Sequence, residues 1–438
     1  LSIQKEYKFN YLRRDIFELQ EFANVGQTYN TLAYDFKDSN LKPLFVAQSH
    51  HFNYTEIEGM KYFHVPTPLT ELYFKTAFKQ GQQLDAFFTI NLSEQFNFSV
   101  EYMGVRSLGA YQNSLTSTGN FKFTSNYHTK NNKYQILTHV TAQDILNEEN
   151  GGLTESSIVL FTEDVSDFRD RGRLDVNFED AENLLKGFRL YIDQEYQLIQ
   201  KKDSLSPTSL SLGNKISFED KSYVYRQDKP YDGFGDSYVS SNLNSKVKLE
   251  DFNVQAYSRF ENSTIGKLTA FIGYTDYNYG YNSVLYLDEG TINNRLKGDL
   301  IQAGASYKKN FGGFQIFGEG ALNVSGDFDA TFLNAGAAYR INTQNKVVAE
   351  IKTHSVAPNF NFLLFQSDYK NYNWQTDFDN VKTQQFEIHL ESTNIVNASV
   401  SYSGIDDYTY FTIKANDSTP TPHQYKDRVD YVKVKLQK

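Results

Sequence analysis

The chain has 438 residues, no cysteine, and a formal net charge of -10 from 53 acidic and 43 basic side chains. This excludes a disulfide framework and thiolate metal sites, and it makes nucleic acid a poor partner. A mean hydropathy of -0.56, with no apolar run of about 20 residues, excludes a bundle of membrane helices. A membrane barrel survives that test, because only alternate strand residues need to be apolar.

Residues 1–80 are the least regular part. Ile3, Tyr7, Phe9 and Tyr11 alternate, and Arg13-Arg14-Asp15 then breaks the run. Val65-Pro66-Thr67-Pro68-Leu69 reads as a turn, since two prolines do not fit inside a central strand. This stretch reads as first hairpins or as a periplasmic extension leading into the barrel, and it leaves no room for a separate plug domain. His50, His51 and His64 lie here, without the spacing of a metal site. No metal is expected.

Residues 81–438 read as one transmembrane antiparallel β-barrel. Phe96, Phe98, Val100 and Tyr102 share one parity, and Asn97, Ser99 and Glu101 the other. Phe121, Phe123 and Tyr127 alternate with Lys122, Thr124, Asn126 and His128. Phe386, Ile388 and Leu390 alternate with Glu387, His389 and Glu391. A period of 2 means a strand with one greasy and one wet face. Phe98, Tyr102 and Phe123 should face lipid, and Glu101, Lys122, Glu387 and Glu391 the lumen. A soluble all-β protein rich in Tyr and Phe is the bland alternative on composition alone.

Short polar turns separate the strands at 91–95, 130–133, 262–264, 309–313, 342–345 and 393–394, and Glu179 to Gly187 reads as a longer one. From residue 261 onward they alternate with longer loops at about 279–297, 324–329, 355–380 and 403–427. Short periplasmic turns opposite long extracellular loops are the asymmetry of an outer-membrane barrel. The phase slips between 130 and 250, so one strand there is missed or invented, with Ser157–Phe161 the best candidate. The expectation is roughly 16–20 strands, an even number. The 355–380 loop should be exposed on the cell.

Few residues suggest chemistry. Tyr277, Tyr279, Tyr281 and Tyr286 cluster in one extracellular loop, as a sugar-stacking platform or, more simply, as girdle and loop packing. Asp327-Phe328-Asp329 and Asp377-Phe378-Asp379 offer alternate carboxylates but no EF-hand pattern, so solvated loop acids are the better reading. No nucleophile-elbow, zincin, Walker or dinucleotide string occurs. Neither an enzyme nor a cofactor is expected.

Several strings resemble the putative porin family of Bacteroidota outer membranes. They are Tyr7-Lys8-Phe9-Asn10-Tyr11-Leu12, Gly26-Gln27-Thr28-Tyr29-Asn30, Val65-Pro66-Thr67-Pro68-Leu69-Thr70-Glu71-Leu72, Arg106-Ser107-Leu108-Gly109, Ser117-Thr118-Gly119-Asn120-Phe121, and Leu146-Asn147-Glu148-Glu149-Asn150-Gly151-Gly152-Leu153. The longest is Arg173-Leu174-Asp175-Val176-Asn177-Phe178-Glu179-Asp180-Ala181-Glu182-Asn183-Leu184-Leu185. The resemblance covers most of the chain and implies a bacterial outer-membrane barrel without known catalytic residues. Barrels of this kind usually close on an aromatic residue. Here the alternation stops mid-strand, at Val432 to Lys438, which reads as a barrel incomplete at its C-terminus. Asp203-Ser204-Leu205 and Asp417-Ser418-Thr419 resemble the acceptor that Bacteroidota O-glycosylate, although Thr419 is not apolar. Ser204 and Ser418 are the candidate positions.

The expected function is passive diffusion of small hydrophilic solutes, with mild cation preference from inward acids. The alternative is a structural or accessory barrel in a larger secretion or assembly complex. Expected partners are outer-membrane lipid and lipopolysaccharide, with other outer-membrane proteins or lipoproteins in the second case.

Overall fold

The computed structural model describes residues 8–34, 36, 40–45, 52–77, 80–201, 207–287, 290–413 and 419–438. Sixteen strands build the wall. The first eight are β1 (Leu69–Ala77), β2 (Gly81–Ser93), β3 (Phe96–Ser107), β4 (Thr116–His128), β5 (Tyr134–Glu149), β6 (Ala181–Lys201), β7 (Thr208–Gln227) and β8 (Leu243–Asn262). The second eight are β9 (Gly266–Gly280), β10 (Arg295–Phe311), β11 (Phe314–Gly326), β12 (Thr331–Arg340), β13 (Asn345–Val356), β14 (Val381–Ser392), β15 (Asn397–Asp406) and β16 (Val429–Gln437). Each strand pairs with the next in the chain, so the sheet is a continuous antiparallel meander from β1 to β16.

The alternation decides which face looks out. On β3, Asn97 and Ser99 are buried while Tyr102 is exposed. On β14, Gln385 and Glu387 are buried while Phe386 and Ile388 are exposed. Leu72 and Phe74 on β1, Phe188 and Leu190 on β6, and Val432 and Val434 on β16 continue the exposed belt. A belt of alternate large apolar side chains around a polar interior belongs in lipid. Phe98 and Phe123 lie on this outward parity and stack with centroids 6.3 Å apart. Phe123→Arg is therefore expected to cost about 2–4 kcal/mol in denaturant unfolding of the vesicle-inserted barrel. If Phe123→Arg unfolds like the wild type, the facing is reversed.

The turns fall into phase once the middle of the chain is corrected. The connections 94–95, 129–133, 263–265, 312–313, 341–344 and 393–396 lie on one rim, and 108–115, 150–180, 228–242 and 357–380 on the other. The turn read at Glu179–Gly187 does not exist: β6 begins at Ala181 and runs through it. Ser157–Phe161 is no strand either. It lies in a helix, α1 (Glu155–Thr162), whose first turn is capped by the Thr154 side chain accepting from the Ser157 N–H. A four-residue apolar run cannot be assigned to strand or helix by period, and the cap decides it.

The stretch 1–80 contributes β1, but its described part before residue 65 adds nothing to the wall. Instead it lies along the inner face and spans the two ends of the sheet. Phe9 stacks on Tyr73 of β1 at 5.9 Å, and Arg13 pairs with Glu71 of β1 at 3.1 Å. Farther on, Glu18 pairs with Lys435 of β16 at 3.0 Å, and the Tyr34 carbonyl accepts from Lys433 at 3.1 Å. This segment is neither a run of wall hairpins nor an extension away from the barrel.

Candidate functional site

The described residues of segment 8–64 fill part of the lumen, and this filling is the candidate site. Segment 8–64 touches strand after strand through inward-facing polar groups. Arg13 pairs with Asp85 of β2 at 3.0 Å and stacks over the Tyr73 ring. Asn24 donates to the Ser107 and Ser114 carbonyls, and Thr116 donates to the Val25 carbonyl at 2.6 Å. Asn120 donates to the Asn53 carbonyl at 2.9 Å. The Gln143 side chain accepts from the Thr55 N–H and donates to its carbonyl, as a strand neighbour would. On the far wall Lys42 pairs with Asp251, and Asn323 donates to the Leu41 carbonyl at 2.7 Å. Backbone groups buried in a lumen need such partners, and here wall side chains supply them.

The tightest anchor lies on β5, β6 and β7. Arg189 is 0% exposed. Its guanidinium donates to Glu219 at 3.0 Å, to the Thr55 carbonyl at 2.7 Å and to His139 Nε2 at 3.0 Å, and it reaches Glu56 at 3.5 Å. Lys221 pairs with Glu56 at 3.0 Å and Glu219 at 3.3 Å. The Tyr54 hydroxyl donates to Glu219 at 2.7 Å. Arginine does not give up its proton, so His139 Nε2 is the acceptor and its Nδ1 carries the hydrogen. That Nδ1 lies 2.8 Å from the Tyr62 hydroxyl. Two buried cations thus face Glu219 from the wall and Glu56 from the segment. Gly187 makes the fit possible: a Cβ there would lie 2.0 Å from the Tyr54 hydroxyl.

The outer mouth is closed by a different piece. Loop 357–380 folds inward, with Phe360, Leu363, Leu364 and Tyr369 buried. Phe360 stacks on Tyr279 at 4.4 Å and 8°, and its N–H donates to the Leu44 carbonyl at 3.0 Å. The Tyr279 hydroxyl donates to the Leu364 carbonyl at 3.0 Å. This corrects one expectation, that all four tyrosines lie in one loop. Tyr277 and Tyr279 are inward residues of β9, and with Tyr281 they are buried in the core under this loop, while Tyr286 alone is exposed, at 82%. The loop itself is no free extension, although Lys370 and Asn371 are exposed. A tag between Lys370 and Asn371 is expected to be labelled on intact cells. Labelling only after the outer membrane is permeabilised would invert the topology.

The four charged residues read from parity all lie on inward positions, and all are paired. Glu101 and Lys122 are direct cross-strand neighbours 3.2 Å apart. Glu391 pairs with Lys346 at 2.9 Å. Glu387 sits in a cluster with Glu350 and His389 whose ligand atoms could surround a cation. Lys352 is 3.6 and 3.7 Å from the two carboxylates, and each ring nitrogen of His389 faces a carboxylate. Ionic pairing therefore accounts for this cluster. Asp327 accepts from Tyr277 at 3.3 Å and Asp379 pairs with Lys426 at 2.8 Å, so two of the loop acids are engaged. His64 lies against Asn91 and His128. His50, His51, Ser204 and Ser418 lie outside the described residues. Arg189, Glu219, Lys221 and His139 were missed, though Arg189 alternates with Phe188 and Leu190, a signal that the misread turn at 179–187 obscured.

Solved structures similar in fold include ferric-siderophore receptors and an iron transporter. The closed form of the ferric-catecholate import receptor Fiu from E. coli K12 is 12% identical with a TM-score of 0.51, covering 84% of this chain and 61% of that one. A mutant ferric enterobactin receptor, PfeA, from Pseudomonas aeruginosa is 8% identical at 0.55, covering 84% and 58%. The FrpB iron transporter from Neisseria meningitidis is 8% identical at 0.57, covering 85% and 59%. The chain thus spans about three fifths of each receptor, and at these identities the likeness concerns fold. No curated protein matches the sequence. A family model described as Putative porin matches residues 2–438, so the chain, a transmembrane β-barrel of the bacterial outer membrane, belongs to that family.

Proposed function

We propose that this barrel passes small hydrophilic solutes passively across the outer membrane, through a lumen that its own segment 8–64 keeps closed at rest. The observation that carries this is how the filling is held. The wall is a backbone ladder from β1 to β16, whereas the anchor at Arg189 is made of wall side chains. Such a segment can leave without breaking the ladder that the membrane requires. Barrels of 16–18 strands have a lumen wide enough for water when nothing fills it. Of the proteins sharing this fold, Fiu is an import receptor and FrpB an iron transporter, which supports passage through the barrel. No enzymatic step belongs to this reading.

Planar-bilayer conductance tests it. The intact chain should open rarely, and a variant lacking residues 8–64 should conduct steadily. In a KCl gradient the opened pore should prefer cations only weakly, because the inward acids Glu101, Glu387 and Glu391 sit beside lysines. Anion selectivity would refute the charge argument. The filled lumen also favours the second reading, an accessory barrel in a secretion or assembly complex. A lumen that stays silent without its segment, in a barrel that co-purifies with other subunits, would decide for that reading.

A further inference from the structure

The outer rim carries a cleft that neither the ion network nor the lumen filling uses. Its volume is ≈ 330 Å³, at the small end of ligand sites, and it lies between loops 150–180, 228–242 and 357–380. One wall is aromatic. Phe234 meets Tyr369 and Tyr372 edge to face, at 5.3 and 6.1 Å, and Phe178 closes on Phe234 at 5.8 Å. Gly151, at φ +67, leaves room for Phe178, since a Cβ there would lie 2.4 Å from that ring. Opposite the rings stand Glu149 and Asn183, joined by a hydrogen bond from the amide to one carboxylate oxygen. The other oxygen takes no hydrogen bond among the described residues. The floor is fixed: Gln227 accepts from the Tyr369 and Tyr225 hydroxyls at 2.6 and 3.0 Å.

We infer that this cleft binds a neutral sugar ring. Its chemistry selects among ligands. No lysine or arginine lines it among the described residues, so phosphate and carboxylate ligands find no counter-charge. The rings pack against one another at 5.3 to 6.2 Å, forming a wall without the internal space that would cage an organic cation. A pyranose has an apolar C–H face to lay on such a wall and hydroxyls for Glu149, Asn183 and Ser367. The sugar can come from a soluble glycan or from the saccharide of lipopolysaccharide. Binding does not need the lumen to open, so this inference and the transport reading fail separately.

The chain's one tryptophan supplies the probe. Trp374 stacks on Phe365, a cleft residue, at 4.8 Å. The full chain in a detergent without a sugar headgroup is titrated with maltose, cellobiose and purified lipopolysaccharide, by Trp fluorescence and calorimetry. Saturable binding of a free disaccharide assigns a soluble glycan, and saturable binding of lipopolysaccharide alone assigns the membrane saccharide. Glu149→Gln and Phe234→Ala should each weaken binding by about tenfold or more, and Tyr286→Ala should leave it unchanged. Because Phe234→Ala can loosen the loops, Glu149→Gln, which keeps the shape, must show the loss as well. The inference is overturned if none of the three ligands saturates, if binding persists in both variants, or if choline binds at the same residues in their place.

Discussion

Arg189→Ala is expected to turn a barrel that conducts rarely into one that conducts steadily. The guanidinium holds two chemically different partners at once, the wall acid Glu219 and the Thr55 carbonyl of the lumenal segment. Alanine removes both links and leaves Glu56 and Glu219 to share Lys221. Breaking one side of a buried ion pair costs about 3–5 kcal/mol, and here the cost falls on the docked state of the segment. The wall is spared, because the β5–β6 and β6–β7 ladders are backbone to backbone. Arg189→Lys should restore only part of the closure, since one ammonium cannot reproduce a planar fork aimed at His139, Glu219 and Thr55 together. Bilayer recordings of the three proteins, with protease protection of residues 8–64 measured alongside, check this. An Arg189→Ala barrel as silent and as protected as the wild type would show that the anchor lies elsewhere.

What the sequence reveals follows from where period 2 holds. Midway along a strand one face meets lipid and the other meets polar groups, so Phe96–Tyr102 and Phe386–Leu390 could be read directly. Near the outer rim both faces are apolar. Leu184 and Leu185 follow one another at the start of β6, and Leu185 is buried in the core beneath loop 357–380. That double run hid the strand and produced the false turn. Tyr277 and Tyr279 misled for the same reason: they point inward, yet they are aromatic because a loop fills the mouth. The ion pair Glu101–Lys122 was legible as two inward charges, and hairpin register would have joined them. The Arg189 anchor had no local signature. Its partners Thr55 and Glu56 lie far back in the chain, in a segment whose described residues pair only as the short strands Leu19–Glu21 and Tyr29–Thr31, with no wall strand to alternate against.

Phe360→Ala is expected to release the outer loop while leaving the pore closed. Phe360 is 0% exposed, stacked on Tyr279 and tied to the Leu44 carbonyl. Truncating a buried phenylalanine costs about 3–5 kcal/mol. That loss falls on a docked loop rather than on the wall, and loops are the low-stability end of a fold. The loop should become protease-sensitive, and a tag between Lys370 and Asn371 should label faster. Conductance should stay low, because Arg189, Lys221 and Glu219 still hold Tyr54 to Glu56 below. Two closures in series make a further demand: Phe360→Ala with Arg189→Ala should conduct more than Arg189→Ala alone, because the loop still narrows the mouth in the single variant. The Leu44 hydrogen bond offers the competing outcome. If the loop carries segment 8–64 with it, Phe360→Ala alone will conduct as fully as Arg189→Ala, the double variant will add nothing, and the non-additivity will identify one coupled gate in place of two independent ones.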